Sequence, residues 1–325
     1  MAQYLSKGLR KDIRSISKII SKIERGESIE KKLLREIYSN LGNAHVIGVT
    51  GPMGVGKSSL INKLVFEYIK QNKKVGVIAI DPISPITGGA ILGDRLRMRD
   101  LTLQGDVFIR SLSSDSSSTG LPSVVNKIIN VLDASGMDKI IVETVGTGQT
   151  QTEIMEFCHT VVVVVMPKMG DETQMLKAGL LEIGDILVVN KADQENADET
   201  MMVLCKTTNS SVEKFKNWKR RILKTSALTG DGVLQLITEI NEHKNYLLSQ
   251  GLFDEFKDKR CKAELKHLIT TKLHELAKRI SESKEFELVV NKVKKGELDS
   301  YTAVEELLTS LDISKIINQL YREYL

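Results

Sequence analysis

The chain of 325 residues is long enough to bury a large hydrophobic core and to hold one large domain or two smaller ones. Hydrophobic residues make up 41% of the sequence and charged residues 27%, with only five prolines, so a disordered chain is excluded. The formal net charge of +4 does not indicate a nucleic-acid partner, and the longest apolar run, 161–166, is too short to span a bilayer.

The cysteines indicate neither a disulfide framework nor a metal site. Cys158, Cys205 and Cys261 are odd in number and stand far apart in the sequence. The first residues also lack the apolar segment and cleavage site of a secretory signal. We therefore expect reduced thiols and a cytoplasmic protein with no membrane partner.

The chain begins with a helical pattern and then changes to alternating strands and helices. Apolar residues recur at helical spacing from about residue 6 to 41, which predicts an N-terminal helical extension over 1–42. From 43 to 250, helical stretches separate most of the apolar runs, which predicts an α/β domain with a mostly parallel sheet. The predicted strands are 46–50, 75–80, 107–111, 139–143, 160–166, 185–190 and 221–226.

The strand pattern ends at about residue 250. Apolar residues at helical spacing predict several amphipathic helices over 251–325, such as one through Leu265, Leu273 and Ile280. Such helices are core elements in most proteins, but an appended helical region can also mediate dimerisation. The pattern alone leaves both interpretations open.

A glycine-rich segment follows the first predicted strand and spells G-x-x-x-x-G-K-S. In such a loop, successive backbone N–H groups and the start of the next helix face a polyphosphate. Lys57 is expected to reach the β- and γ-phosphates, and the Ser58 hydroxyl to bind magnesium. The nucleotide-binding candidates here are Gly51, Gly54, Val55, Gly56, Lys57, Ser58 and Ser59.

Three acidic residues near strand ends are candidates for holding magnesium directly or through water. Asp81 ends a strand, Asp94 lies in a glycine-rich segment, and Glu143 ends a hydrophobic strand as the acid of a Walker B motif does. Gly146 can offer its backbone N–H to a γ-phosphate. Asp81 and Asp94, taken singly, could also be helix caps or turn formers. The metal candidates are Ser58, Asp81, Asp94 and Glu143, and the catalytic candidates are Lys57, Asp94 and Glu143.

The segment Asn190-Lys191-Ala-Asp193 follows the sixth predicted strand and favours guanine. An aspartate carboxylate accepts hydrogen bonds from the N1–H and the exocyclic amino group of guanine, which adenine cannot offer. The wrong base would leave these acceptors unpaired. The lysine stem can pack along the base and the asparagine can brace the loop. The backbone of Ser226, Ala227 and Leu228, after the seventh strand, could contact the base carbonyl.

Taken together, these motifs resemble those of the methylmalonyl-CoA mutase-associated GTPases, the MeaB/ArgK-type family, over about residues 40 to 310. The segments that carry the resemblance are the phosphate loop, Asp81-Pro-Ile-Ser84, Thr87-Gly-Gly-Ala-Ile-Leu-Gly-Asp-Arg95, Val142-Glu-Thr-Val-Gly-Thr-Gly-Gln149, Pro167-Lys-Met-Gly-Asp-Glu-Thr-Gln174 and Asn190-Lys-Ala-Asp193.

This resemblance implies a homodimeric G-domain protein with helical extensions at both ends. It implies a GTP-driven chaperone for an adenosylcobalamin-dependent acyl-CoA mutase, receiving cofactor from an adenosyltransferase, with GTP or GDP and magnesium as cofactors. The family roles fall on Lys57 and Ser58 at the phosphates, on Asp81, Asp94 and Glu143 around magnesium, and on Asn190, Lys191 and Asp193 at the base. Because Thr147 rather than glutamine follows Gly146, we expect slow hydrolysis without a partner.

Two other functions remain open at this stage. A nickel-delivery GTPase would need a cluster of cysteine and histidine ligands, whereas the three cysteines and five histidines are scattered. A P-loop kinase or ATPase coupled to amino-acid transport would not need the Asn-Lys-x-Asp motif. Preference for ATP over GTP would support that alternative.

Overall fold

A computed structural model describes residues 13–42, 44–81, 106–113, 121–144, 149–167, 180–208 and 218–310. The chain divides into two compact units that adjoin in sequence between Cys261 and Lys262. Within the described ranges, no helix is both long and apolar enough to cross a membrane.

The first unit is built on one sheet, whose strands in the described residues number seven. They are β1 (His45–Thr50), β2 (Val75–Asp81), β3 (Val107–Ser113), β4 (Lys139–Thr144), β5 (Thr160–Val165), β6 (Ile186–Val189) and β7 (Arg221–Lys224). Every neighbouring pair is parallel, in the order β3-β2-β4-β1-β5-β6-β7. The predicted α/β fold with a mostly parallel sheet is confirmed.

Helices precede, connect and follow these strands. Those of the first unit are α1 (Ile13–Glu24), α2 (Lys31–Ser39), α3 (Lys57–Lys70), α4 (Leu121–Ala134), α5 (Gln149–Met155), α6 (Leu180–Ile183), α7 (Ala197–Thr208) and α8 (Val233–Ser249). The remaining described helices are α9 (Phe253–Ser281), α10 (Lys284–Lys294) and α11 (Ser300–Ser310). The long helix α9 begins in the first unit and ends in the second.

Helices cover both faces of the sheet, as expected for parallel strands that are apolar throughout. Helices α3 and α8 bury Leu60, Leu64 and Leu236 in one core with alternate residues of the central strands. On the other face, α4 lies so close to β2 that a side chain at Gly76 would meet Leu132 at 2.9 Å. The strand ends are thereby fixed by packing on both sides.

The N-terminal helices pack on the outer side of α4. Helix α1 buries Ile16, Ile20 and Ile23, which accounts for the apolar face predicted there. Arg110 of β3 forms an ion pair with Glu24 at the end of this helix. Because α4 lies between the sheet and the N-terminal helices, almost all of its residues are buried.

A chain of buried polar side chains runs along the amino ends of adjacent strands, at the edge opposite the loops that follow the strands. The Lys139 ammonium lies 3.3 Å from His45 Nδ1, His45 Nε2 lies 2.8 Å from Thr160 Oγ1, and Thr160 Oγ1 lies 2.9 Å from His243 Nδ1. His243 Nε2 in turn lies 4.0 Å from Asp185. Since an ammonium only donates, we assign His45 Nδ1 as acceptor and its Nε2 as donor.

Burial changes the protonation behaviour of this edge. Desolvation lowers the pKa of His45 well below its usual value, and nearby positive charge, Lys139 first, lowers it further. Desolvation also lowers the pKa of Lys139 to about 8, with help from Lys244 and Lys73. The imidazole of His45 is therefore held neutral in the fold.

In the second unit, α10 and α11 pack against each other. Ser283 caps α10 by accepting a hydrogen bond from Phe286 N at 3.2 Å. The Asp299 carboxylate accepts from Tyr301 N at 2.9 Å, which satisfies an N–H group at the start of α11. Hydrogen bonds from Thr302 lower the pKa of Asp299 below its usual value.

Candidate nucleotide-binding site

The phosphate loop joins β1 to α3, and its glycines are required by its backbone. Gly51, Gly54 and Gly56 have φ angles of +146°, +80° and +90°, which favour glycine. A Cβ on Gly51 would lie 2.1 Å from the Val164 carbonyl oxygen, and one on Gly56 would lie 2.5 Å from Asn190 Nδ2. Gly56 is also the N-cap residue of α3, so it has no side chain to cover the first N–H groups of that helix.

Lys57 opens α3 and folds back across the loop. Its Nζ donates to the carbonyl oxygens of Gly51 at 2.9 Å and Pro52 at 2.8 Å, and the residue is only 4% exposed. A buried ammonium held by carbonyl oxygens lies within the loop rather than in bulk solvent. The sequence predicted this residue at the phosphates, and its position at the loop is compatible with that prediction.

Two predicted magnesium ligands lie side by side. Ser58 Oγ donates to Glu143 Oε1 at 2.8 Å, which joins the first turn of α3 to the end of β4. Hydroxyl and carboxylate oxygens are the hard donors that magnesium prefers. In the described part of the chain, no group of three or more His, Cys, Asp or Glu could hold a metal ion by itself.

Three other predicted residues cannot be placed fully. Asp81 is the last residue of β2, and only its backbone is among the described positions. Asp94 and Gly146 lie outside the described residues. Their predicted roles at magnesium and the γ-phosphate therefore stay predictions.

Asn190, directly after β6, joins two loops through one buried amide. Its Nδ2 donates to the Val55 carbonyl oxygen at 2.8 Å in the phosphate loop. Its Oδ1 accepts from Thr225 Oγ1 at 3.1 Å and from Ala227 N at 3.2 Å. This network fixes the amide orientation and gives the predicted bracing residue specific partners.

The other residues of the predicted base motif lie beside this amide. Asp193 Oδ1 accepts from Ser226 Oγ at 2.6 Å, and Ser226 Oγ in turn accepts from Thr229 N at 3.2 Å. Lys191 has a left-handed backbone, with φ of +57°, and its Nζ lies 3.4 Å from Met166 Sδ. Leu228 is exposed. A cavity of about 380 Å³ adjoins these loops, with Asp193, Ser226 and Gln235 in its lining.

Glu143 near the end of β4 and the candidate residues after β1, β6 and β7 thus meet at the carboxyl edge of the sheet. Such an edge is where ligands bind in open α/β sheets. Thr50 and Thr144 are not among the predicted site residues, yet their hydroxyls lie 2.9 Å apart at the ends of β1 and β4. A sequence signal existed, because each threonine ends a buried strand just before a glycine-containing segment.

A P-loop fold with a G-x-x-x-x-G-K-S loop and an Asn-Lys-x-Asp motif at the same sheet edge defines the guanine-nucleotide-binding class. The family described as "Methylmalonyl Co-A mutase-associated GTPase MeaB" matches residues 14–283. The chain belongs to this family and is a P-loop GTPase. The resemblance noted from its motifs is confirmed.

Similar proteins agree with this assignment. The chain is 42% identical over 314 residues to a Pyrococcus horikoshii protein named "Putative GTPase PH0274", with 96% of this chain and 97% of the relative covered. It is 33% identical over 245 residues to "GTPase ArgK" of Escherichia coli, covering 74% of this chain and 73% of the relative. A solved structure titled "LAO/AO transport system kinase" shares the fold, with a TM-score of 0.66, 23% identity and 95% of each chain covered.

Proposed function

We propose that this GTPase is a nucleotide-dependent chaperone for an adenosylcobalamin-dependent acyl-CoA mutase. In this proposal, the nucleotide state gates the loading of intact cofactor, delivered by an adenosyltransferase, and protects the loaded enzyme. The observation that carries it is the extent of the family match. Residues 14–283 include all but the first residue of the N-terminal helices and the whole of α9 as well as the nucleotide loops, so the similarity exceeds that of a generic GTPase core.

We assign the phosphates to the loop between β1 and α3. In hydrolysis, water attacks the γ-phosphorus, the bond to the bridging oxygen breaks, and GDP and phosphate leave. Lys57 lies at this loop and would neutralise charge on the phosphate oxygens. Magnesium, when bound, would supply further neutralisation, held by Ser58 and by Glu143, Asp81 and Asp94 directly or through water.

We assign the guanine base to the loops after β6 and β7. Asp193 would accept hydrogen bonds from the base N1–H and amino group, while its contact with Ser226 keeps the carboxylate in place. The stem of Lys191 would pack along the base. The backbone N–H group of Leu228 would face the base carbonyl, because that of Ala227 donates to Asn190 Oδ1. This donor and acceptor set discriminates against adenine.

We also propose that the chain forms a homodimer through α9. Leu265, Ile269 and Leu273 recur every four residues on one side of this helix, and they are 55%, 60% and 58% exposed. Apolar side chains aligned over several turns are expected to be covered by another surface. A second copy would present the same stripe and could cover both at once.

The experiment that tests the chaperone proposal compares GTP and ATP hydrolysis, each measured alone and with a cobalamin-dependent acyl-CoA mutase from the same source. We expect slow hydrolysis of GTP, little hydrolysis of ATP, and a marked rise in the GTP rate with the mutase. The variant Lys57→Ala, measured in parallel, should show neither the basal nor the stimulated rate, which excludes a contaminating phosphatase.

The alternative outcomes separate the parts of the proposal. A GTP rate that no such mutase changes would reject the chaperone function while leaving the GTPase intact. Faster hydrolysis of ATP than of GTP would instead support the transport-coupled ATPase or kinase.

A further inference from the structure

The last two residues of β4 bind the two ends of the phosphate loop. Glu143 Oε1 accepts a hydrogen bond from Ser58 Oγ at 2.8 Å, and Ser58 follows the loop lysine. Thr144 Oγ1 donates to Thr50 Oγ1 at 2.9 Å, and Thr50 precedes the first loop glycine. One strand end therefore contacts the residue that enters the loop and the residue that leaves it.

Strand geometry explains how consecutive residues reach both ends. Successive side chains of a strand point to opposite faces of the sheet. In the parallel register, Val49 lies beside Glu143, and Val49 belongs to the core that α3 covers. Glu143 is thus on the face of α3, where Ser58 lies. Thr144 points to the opposite face, as does its neighbour Thr50 in β1.

The threonine pair is sealed from solvent. Both residues are 0% exposed, so water cannot replace the hydrogen bond if one hydroxyl is lost. A buried hydroxyl without its partner is disfavoured, which keeps the two strand ends at a fixed separation. The chain that continues from Thr144 contains Gly146, the residue predicted to meet the γ-phosphate.

We propose that Thr144 is a positioning residue for GTP hydrolysis, acting through Thr50. Its hydroxyl sets the start of the phosphate loop relative to the strand end from which the Gly146 segment departs. The nucleotide itself is held mainly by the loop and the base motif. Loss of the hydroxyl should therefore disturb the geometry of the reacting γ-phosphate more than the affinity for GTP.

The test uses the whole chain with GTP and magnesium and no mutase, so its outcome does not depend on the chaperone proposal. Thr144→Val keeps the side-chain shape and removes the donor, whereas Thr144→Ser keeps the hydroxyl. We expect kcat to fall roughly three- to tenfold in the valine variant, as loss of one hydrogen bond predicts. The dissociation constant for GTP should stay within about twofold of the unmodified protein's, and the serine variant should recover most of the rate.

A second variant removes the same bond from the other strand. Thr50→Val should lower kcat by a similar factor, and adding it to Thr144→Val should cause little further loss, because both changes delete one interaction. If the Thr144→Val protein does not fold, the Thr50→Val variant tests the proposal by itself. The proposal is overturned if Thr144→Val leaves kcat unchanged. It is also overturned if kcat and the affinity for GTP fall together and the Thr144→Ser variant does not recover them, or if the double variant shows the product of the two single losses in kcat.

Discussion

The imidazole of His159 lies stacked on the ring of Phe253, with centroids 4.0 Å apart and planes inclined by 14°. His159 precedes β5, and its Nδ1 accepts from Val46 N at 2.9 Å. Phe253 begins α9, so this contact fixes the start of the long helix to the amino edge of the sheet. Burial lowers the pKa of His159 well below its usual value, with the charge of Arg260 adding to the effect.

The buried histidines predict that acid destabilises the first unit. His45 and His159 both have lowered pKa values in the fold, whereas the unfolded chain titrates near about 6.5. Below that pH the unfolded state binds more protons than the folded state. The contribution of each neutral histidine to the free energy of unfolding is therefore complete above about pH 6.5. It falls as the pH is lowered, by up to about 1.4 kcal/mol per pH unit for each histidine.

Urea unfolding between pH 7.5 and 5.5 would measure this effect. Trp218 is a suitable fluorescent reporter, because it is the single tryptophan of the sequence and its ring lies 4.5 Å from that of His243. Equal stability at both pH values would contradict the prediction.

The phosphate-loop glycines predict a difference between two matched substitutions. Gly54→Ala and Gly56→Ala both place a side chain at positive φ, which costs about 1–2 kcal/mol. At Gly54 the new Cβ meets nothing within 4 Å, whereas at Gly56 it would lie 2.5 Å from Asn190 Nδ2. We expect the Gly56 variant to lose more stability in thermal unfolding without nucleotide. Equal losses of stability in the two variants would show that the Asn190 side-chain amide can move aside without destabilising the protein.

The exposed stripe of α9 predicts that a charge at its centre separates the subunits. Ile269→Lys should convert the proposed dimer to a monomer in sedimentation velocity, because burying an unpaired ammonium is unfavourable. Thr270→Lys adds the same charge at the next exposed position and should leave the dimer intact. A monomer before any substitution would reject the proposal for this helix.

The sequence predicted the local features well, because each follows from nearby residues. The strand expected over 139–143 is Lys139–Thr144, and the strand expected over 107–111 extends to Ser113. The loop before α3 and the Asn-Lys-x-Asp segment lie at strand ends as predicted. Apolar runs and glycine patterns are sufficient for such features.

The contacts between distant strands could not be predicted in the same way. The hydrogen bond between Thr50 and Thr144 requires β4 to lie between β1 and β2, and the periodicity of apolar residues does not give strand order. The row of polar side-chain contacts from Lys139 through His45 to Thr160 depends on the same strand order. Histidines dispersed in the sequence gave no sign that three of them would meet in one buried layer.

The variant Asp193→Asn tests the proposed selection of guanine by Asp193 when the hydrolysis of GTP, XTP and ATP is compared. Xanthine carries a carbonyl where guanine carries an amino group, so an asparagine amide can donate to it. Asparagine can also keep an acceptor for Ser226 Oγ, which donates to Asp193 at 2.6 Å. We predict that the unmodified protein hydrolyses GTP and that the variant loses GTP hydrolysis and gains XTP hydrolysis. The preference for GTP over XTP should change by roughly 100-fold or more. An Asp193→Asn protein that still prefers GTP would show that Asp193 does not select the base.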